Sequence, residues 1–596
     1  MSMAPRSRSV KRRKIDYDSV QKALVDMIIA DELPFSVVEE EEFIERMKTV
    51  FLGFDMPTSD MISRDCAQRF MDDKLKLKSF IKRTKQRVCL SLDTWRRSNQ
   101  SVNYLCITAH FIDNNWNMHK KIIGFSPICS DNGEEIGKVV KKCLLDWEIS
   151  HVLAVSAGNA SSYDAAISYL GKRLANPVLD GKFLRLKCFN DFANNMVKQV
   201  LKDYDKWIIR VRAAVRYMQQ SPDRIKKFED FARQHRMPSD DCLTLDWPSC
   251  WLSTFEMLST AQKFEDVFNW FEEKDPMYKR ELSTTCGSPV YIKWEKVRKA
   301  VCCLKGLFWL TGKRYNSDVT SNMFFGQIAE ADFGLVDWET SWVRSAKLFF
   351  RPVEQKWKYN EYWGDVKDSN MLIYIATILD PRYKMDYIEC CFGDSLTLKH
   401  EYTDEGEPSW KKKVELVVAA AYDLFNVYAT KLGAPHRTAN FQTSGFMDYL
   451  CHATSSLRMG DRREVGFGGN VGCEAEIDIY LNEELIAFDR FDILVWWKVN
   501  EKRFPVLTKM AKDVLAIPIS AVTLLSDNNN DGNLLGDFQS SVSPSMAEAL
   551  VCTQDWINNS KKQIKVQDAS TELGNVMKGI YEQLEDDSSG CGSTSS

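Results

Sequence analysis

The end of a buried run at 152–158 is the position in this 596-residue chain best placed for metal chemistry. Val152–Gly158 (VLAVSAG) reads as a buried strand feeding a helix. Metal-assisted phosphodiester chemistry needs carboxylates that converge on paired divalent cations, which bind the attacking and leaving oxygens of an in-line displacement. The strand tip is where such a carboxylate belongs, and position 158 has no side chain to supply one. Zinc chemistry finds no better support. The chain has 17 cysteines and 7 histidines but no Cys-x-x-Cys spacing, and the doublets Cys302–Cys303 and Cys390–Cys391 have no histidine pair nearby. Four ligands do not converge from such spacing, so a zinc finger is not expected; metal and cofactor are both expected to be none.

Among the elements that would position these residues, 1–16 form a basic arm carrying Arg6, Arg8, Lys11, Arg12, Arg13 and Lys14, with no acid before Asp16. Such a run suits nuclear import or phosphate contact. Residues 17–85 have helical periodicity. From Gln86 the period changes to two: Val88, Leu90 and Leu92 alternate, and strands are predicted at Asn103–Ile112 and Lys120–Ile128. A helix at Gly133–Trp147, the strand at 152–158, a helix over Asn159–Leu174, a strand at Phe183–Lys187 and a helix from Phe189 follow. Three meandering strands and then α/β crossovers make a ribonuclease-H-like arrangement over 86–205. Residues 206–432 are helix-period and read as a helical insertion. Residues 433–472 read as a linker, 473–556 as a compact C-terminal region that completes the core and 557–596 as a disordered tail. The net charge of −4 gives no global attraction to nucleic acid, and no apolar run approaches the ~18 residues of a membrane span.

Five segments carry a resemblance: Ser91–Trp95, Asn103–Asp113 (NYLCITAHFID), Trp116–Lys120 (WNMHK), Leu379–Lys384 (LDPRYK) and Phe491–Leu515 (FDILVWWKVNEKRFPVLTKMAKDVL). On these the chain resembles plant hAT-superfamily transposase-like proteins of the daysleeper/ricesleeper kind, from about residue 17 to 556. The resemblance implies an α/β plus α fold: a ribonuclease-H-like core, a large helical insertion and a C-terminal dimerisation region. It also implies an Asp-Asp-Glu triad, whose positions fall on Asp93, Gly158 and Leu525 here, so two of three ligands are missing. Asp164, Asp191, Asp527 and Asp531 are the neighbours that could substitute, and Asp191 stands where the family has a histidine. The BED-type finger of many relatives has no counterpart. The family's Arg-Trp-Asn-Ser-Thr motif reads Cys250–Thr254, keeping Trp251, a DNA-contacting position in the family.

The expectation is a catalytically inactive, transposase-derived nuclear protein that forms a homodimer and binds DNA, in gene regulation, with no membrane and no small-molecule substrate. The DNA contacts expected are Lys11, Arg12, Arg13 and Lys14 of the arm, Lys82, Arg83, Lys85 and Arg87 ahead of the first strand, and Trp251. Further basic groups stand at Arg210–Arg216 and Arg462–Arg463. Affinity would be salt-sensitive and directed mostly at phosphates. The expected dimer contacts are Phe491, Trp496, Trp497, Phe504, Leu507, Met510 and Val514. The alternatives are an active transposase or nuclease with a rearranged metal site, and a scaffold that only dimerises.

Overall fold

The computed structural model describes residues 16–51, 53–96, 103–130, 132–174, 178–234, 243–247, 251–286, 291–312, 320–326, 369–394, 409–433, 475–486, 491–519 and 542–560. Three helices come first: α1 (Tyr17–Ala30), α2 (Glu41–Val50) and α3 (Ser59–Thr84). Thr58 caps α3 by accepting from the Met61 amide, and Lys85, in the left-handed conformation at φ 54°, ends it. That reversal delivers the chain into β1 (Val88–Arg96).

β2 (Asn103–Ile112) and β3 (Met118–Ile128) meander away from β1, and β4 (Val152–Ala157) and β5 (Arg185–Lys187) extend the sheet on its other side. The order is β3-β2-β1-β4-β5, with β1 antiparallel to β2 but parallel to β4, and β4 parallel to β5. A parallel pair needs a crossover, which here is α4 (Gly133–Asp146) between β3 and β4 and α5 (Ser161–Gly171) between β4 and β5. The two helices approach closely because Gly133 and Gly137 lack side chains. A Cβ at 133 would lie 2.4 Å from the Ser162 carbonyl oxygen, and one at 137 would lie 2.7 Å from the Tyr169 ring. Element order and topology follow the ribonuclease-H-like expectation, with α5 and β5 shorter than their predicted spans.

α6 (Phe189–Gln219) runs unbroken from the end of β5 into a helical block. The block continues as α7 (Pro222–Gln234), α8 (Trp251–Ala261), α9 (Glu265–Lys274), α10 (Pro276–Cys286), α11 (Trp294–Gly312), α12 (Leu372–Ile378), α13 (Lys384–Asp394) and α14 (Ser409–Lys431). Beyond it come α15 (Glu476–Asn482), α16 (Ile493–Val499), α17 (Pro505–Leu515) and α18 over 544–560.

The C-terminal segment packs into the cores formed by the rest of the chain. α15, α16 and α17 bury their apolar faces in the core of the helical block. α18 instead joins the sheet core, where Trp556 stacks on Phe70 with ring centroids 5.5 Å apart. Its Asp555 carboxylate accepts from the Ile122 amide at 2.8 Å, and the Trp556 indole donates to the Ile122 carbonyl at 2.8 Å. β3 is an edge strand, and α18 satisfies edge groups that would otherwise invite pairing with another chain. Leu550, on the same helix, packs into the core of α1 and α3.

Candidate functional site at the ends of the parallel strands

β1 and β4 run side by side with Leu90 opposite Val155, Ser91 opposite Ser156 and Leu92 opposite Ala157. One residue further on, this register brings Asp93 level with Gly158, about one strand spacing (~4.8 Å) away. The two positions singled out from sequence are therefore neighbours at the carboxyl ends of parallel strands, where open α/β sheets place their ligands.

Asp93 is half-buried and accepts from the Trp95 indole at 3.2 Å. The next residue, Thr94, reaches across to Tyr163 of α5, hydroxyl to hydroxyl at 2.5 Å. At Gly158 a Cβ would meet the Tyr163 ring at 3.4 Å and the Asp191 carboxyl group at 3.7 Å, which is ordinary van der Waals contact. Asp191, in the first turn of α6, accepts from the Asn159 amide at 2.8 Å. Its carboxylate thus stands beside the empty side-chain position of Gly158.

A cation that the sequence did not single out dominates this strand end. Arg185 of β5 donates to the carbonyls of Ala157 at 2.9 Å, Gly158 at 2.6 Å and Leu186 at 2.6 Å, and pairs with Asp164 at 2.7 Å. Asn370 fixes the backbone beneath it by donating to the carbonyls of Phe183 and Arg185. Asp164 lies in the first turn of α5 and is tied to the strand tip through Arg185. Leu525, Asp527 and Asp531 lie outside the described residues, but the chain leading to them passes close by: the Phe189 amide donates to the Ile519 carbonyl at 3.2 Å. Among the described residues no three His, Cys, Asp or Glu side chains are grouped to hold a metal ion.

The expected DNA contacts are dispersed. Lys11, Arg12, Arg13 and Lys14 lie outside the described residues, as do Arg462 and Arg463. Lys82 is 73% exposed but pairs with Glu148 at 3.0 Å, in a ladder with Lys78–Glu148 and Lys74–Asp146. Arg83 and Lys85 are exposed. Arg87 departs from expectation: it is 8% exposed, pairs with Asp513 at 3.2 Å, and lies 4.7 Å from the Tyr428 ring centroid. Tyr428 donates to the same carboxylate at 2.5 Å. Burial pushes the Asp513 carboxyl above its usual range while Arg87 pulls it back. A phosphate has no access to such an internal guanidinium, so Arg87 joins β1 to α14 and α17 instead. Arg212 is held by Asp246 through two bonds of 2.6 and 2.7 Å, and Arg210 is buried. Trp251, at the start of α8, packs partly buried against the helical core.

The seven side chains expected at a dimer surface also face inward. Trp496, Trp497, Phe504, Leu507, Met510 and Val514 are buried in the chain's own core, and the half-buried Phe491 ring lies under Arg382 at 4.6 Å. Trp497 donates its indole N–H to the Leu379 carbonyl at 3.0 Å. The LDPRYK segment anchors this packing. Asp380 accepts from Asn322 at 2.6 Å and from Arg382, while Lys384 donates to the carbonyls of Tyr480 and Glu483 at 2.6 Å. Burial depresses the Lys384 ammonium to about 8. The apolar stripe at 506–515 is thus packed within the chain's own core.

Four family models match successive parts of the chain: the ZBED1 RNase-like domain over 91–183, the ZBED1 RNase-like helical domain over 186–297, the hAT-like transposase RNase-H fold over 322–428, and the hAT family C-terminal dimerisation region over 476–557. The chain is 27% identical over 575 residues to the zinc finger BED domain-containing protein RICESLEEPER 3 of Oryza sativa subsp. japonica, covering 93% of this chain and 72% of that protein. It is 25% identical over 569 residues to the zinc finger BED domain-containing protein DAYSLEEPER of Arabidopsis thaliana, covering 93% and 76%.

Proposed function

From the premise that this is a hAT transposase-like chain, with an RNase-H-fold domain, a helical domain and a C-terminal hAT dimerisation region, we propose that it is a transposase-derived nuclear DNA-binding protein that dimerises without cutting DNA, in a regulatory role. The observation that carries this reading is the strand end itself. Gly158 supplies no ligand beside Asp93, and the Arg185 guanidinium covers the carbonyls at the same tip. Paired divalent cations are drawn to converging carboxylates and repelled by a fixed cation. The described donor set, Asp93 with Asp191 already accepting a backbone amide, fits them poorly.

DNA binding in this reading rests on the basic arm 1–16 and on Arg83, Lys85 and the exposed part of Lys82, which contact phosphates. Homodimer contacts come from side chains of the C-terminal region that remain outside, of which Ile479, Leu485 and Val499 are the large exposed hydrophobics among the described residues. Fluorescence anisotropy with a labelled blunt duplex tests the binding half: affinity is expected to fall steeply with salt and to weaken when residues 1–15 are removed and Arg83 and Lys85 neutralised. No binding at low salt would remove this half of the reading.

The nearness of the Asp191 carboxylate to position 158 favours one second reading, a rearranged metal site held by Asp93 and Asp191. Mn²⁺ titration followed by electron paramagnetic resonance separates the two. A saturable site abolished by Asp93→Ala supports the rearranged site, and its absence supports the proposal.

A further inference from the structure

Three cations converge on one tryptophan in the helical block. The Trp207 ring of α6 has the Arg210 guanidinium 4.7 Å from its centroid, the Lys206 ammonium at 5.6 Å and the Lys293 ammonium at 5.7 Å. Arg210 also donates to the Tyr291 carbonyl at 2.8 Å, so its buried guanidinium lies between the Trp207 ring and the Tyr291 backbone. The Tyr291 side chain points outward and is 65% exposed, on the segment that leads into α11.

Charge is the unusual part of this arrangement. An aromatic face attracts a cation, but it offsets little of the repulsion among three. Glu272 lies near enough to Arg210 to feel its charge. The other acids close in sequence are turned to other partners: Asp203 accepts from Gln199, Asp205 faces Arg212, and Glu295 pairs with Lys299. Lys206 and Lys293, both exposed, pair with no carboxylate among the described residues. The surface is complementary to an external anion, and its exposed tyrosine offers a flat ring beside that anion.

We propose that Tyr291, Lys206 and Lys293 form a binding site for unpaired DNA, with a base stacked on Tyr291 and flanking phosphates held by the two lysines around Trp207. Stacking on an aromatic ring beside cations is sequence-tolerant and needs a base free of its duplex partner. The patch is separate from the strand ends. Trp207 lies sixteen residues beyond Asp191 on α6, about 24 Å at 1.5 Å rise per residue. The proposal rests on the DNA-binding reading and adds to it a preference for single-stranded extensions over blunt ends.

The test compares the full chain on a blunt duplex and on the same duplex bearing a single-stranded oligothymidine extension. Wild type is expected to bind the extended duplex more tightly. Tyr291→Ala should weaken binding to the extended duplex roughly tenfold while leaving the blunt duplex unchanged, and Tyr291→Phe should retain the wild-type preference. Lys206→Gln with Lys293→Gln should lower the salt slope on the extended duplex by about 1.4, or 0.7 for each phosphate no longer neutralised. Equal binding of both duplexes by wild type, or a preference unchanged in both the tyrosine and lysine variants, would overturn the site while leaving duplex binding intact. Failure of wild type to bind either duplex would overturn the DNA-binding reading itself. Tyr291 is exposed, so melting curves that match wild type are expected for all three variants. If Tyr291→Ala alone melts early, the lysine variant decides.

Discussion

Nothing local requires glycine at position 158. A Cβ there would make ordinary contacts of 3.4 and 3.7 Å, and the backbone is not in the left-handed region. Gly158→Ala is therefore expected to raise stability by roughly 0.4–1 kcal/mol, because alanine restricts the unfolded chain more than glycine does. A lower melting temperature would reveal a constraint on the strand tip that this geometry lacks. The absence of a side chain at 158 is thus not imposed by packing. A second residue-scale prediction concerns Glu389 of α13, which is buried with one carboxylate oxygen lacking a hydrogen-bond partner. Burial, and then the nearby Asp386, raise its carboxyl to about 7 from an ordinary 4.5. The folded state therefore holds this proton more tightly than the unfolded state, and Glu389 costs stability progressively as pH rises from 4.5 through 7. Glu389→Gln should melt above wild type at pH 8, by about 1–3 kcal/mol in stability, with the gap closing near pH 4.5. A gap independent of pH would contradict the burial argument.

Among the elements, α16 and α17 show most clearly what a sequence reveals and what it withholds. Apolar positions at helical spacing establish that one face of 505–515 is covered, and Asp492, which caps α16, and Pro505, which opens α17, mark the ends. The same stripe arises whether the covering surface is the chain's own helix or a second copy, so periodicity could not assign the partner. The structure assigns it to α12 and α14, with Trp497 bonded to Leu379. Trp497→Ala is accordingly expected to cost about 3–5 kcal/mol and to disturb folding, whereas Val499→Glu should leave the melting temperature nearly unchanged and weaken self-association. Sedimentation velocity checks both. A folded, monomeric Trp497→Ala would return that tryptophan to the interface. Arg87 was misleading for a related reason. It sits in the basic run Lys82–Arg87, while its partner Asp513 is 426 residues away, and no local pattern links such distant charges. By contrast the strands were legible, since period-two alternation is a local property, and so was the level of Asp93 with Gly158 once the strand order was known. Arg185 was not, because a lone arginine in a short strand carries no signal until the sheet places it over a neighbour's carbonyls.

For the whole molecule, cores are shared rather than stacked end to end. The C-terminal region contributes α15–α17 to the helical core and α18 to the cores of the sheet and of the N-terminal helices. The Arg87–Asp513–Tyr428 cluster ties the start of β1 to the helical block from within. Removing one partner from such a buried pair leaves an uncompensated charge and costs about 3–5 kcal/mol. The scaffold that holds the strand ends in register therefore persists independently of whether those ends hold metal. The proposed function uses such a scaffold for binding and assembly alone. The most direct test is cleavage of a labelled duplex by the full chain in Mg²⁺ and in Mn²⁺, with wild type and Asp93→Ala side by side. Intact strands are expected in every lane, under conditions where anisotropy shows the duplex bound. Metal-dependent cutting by wild type that Asp93→Ala abolishes would contradict binding without cleavage.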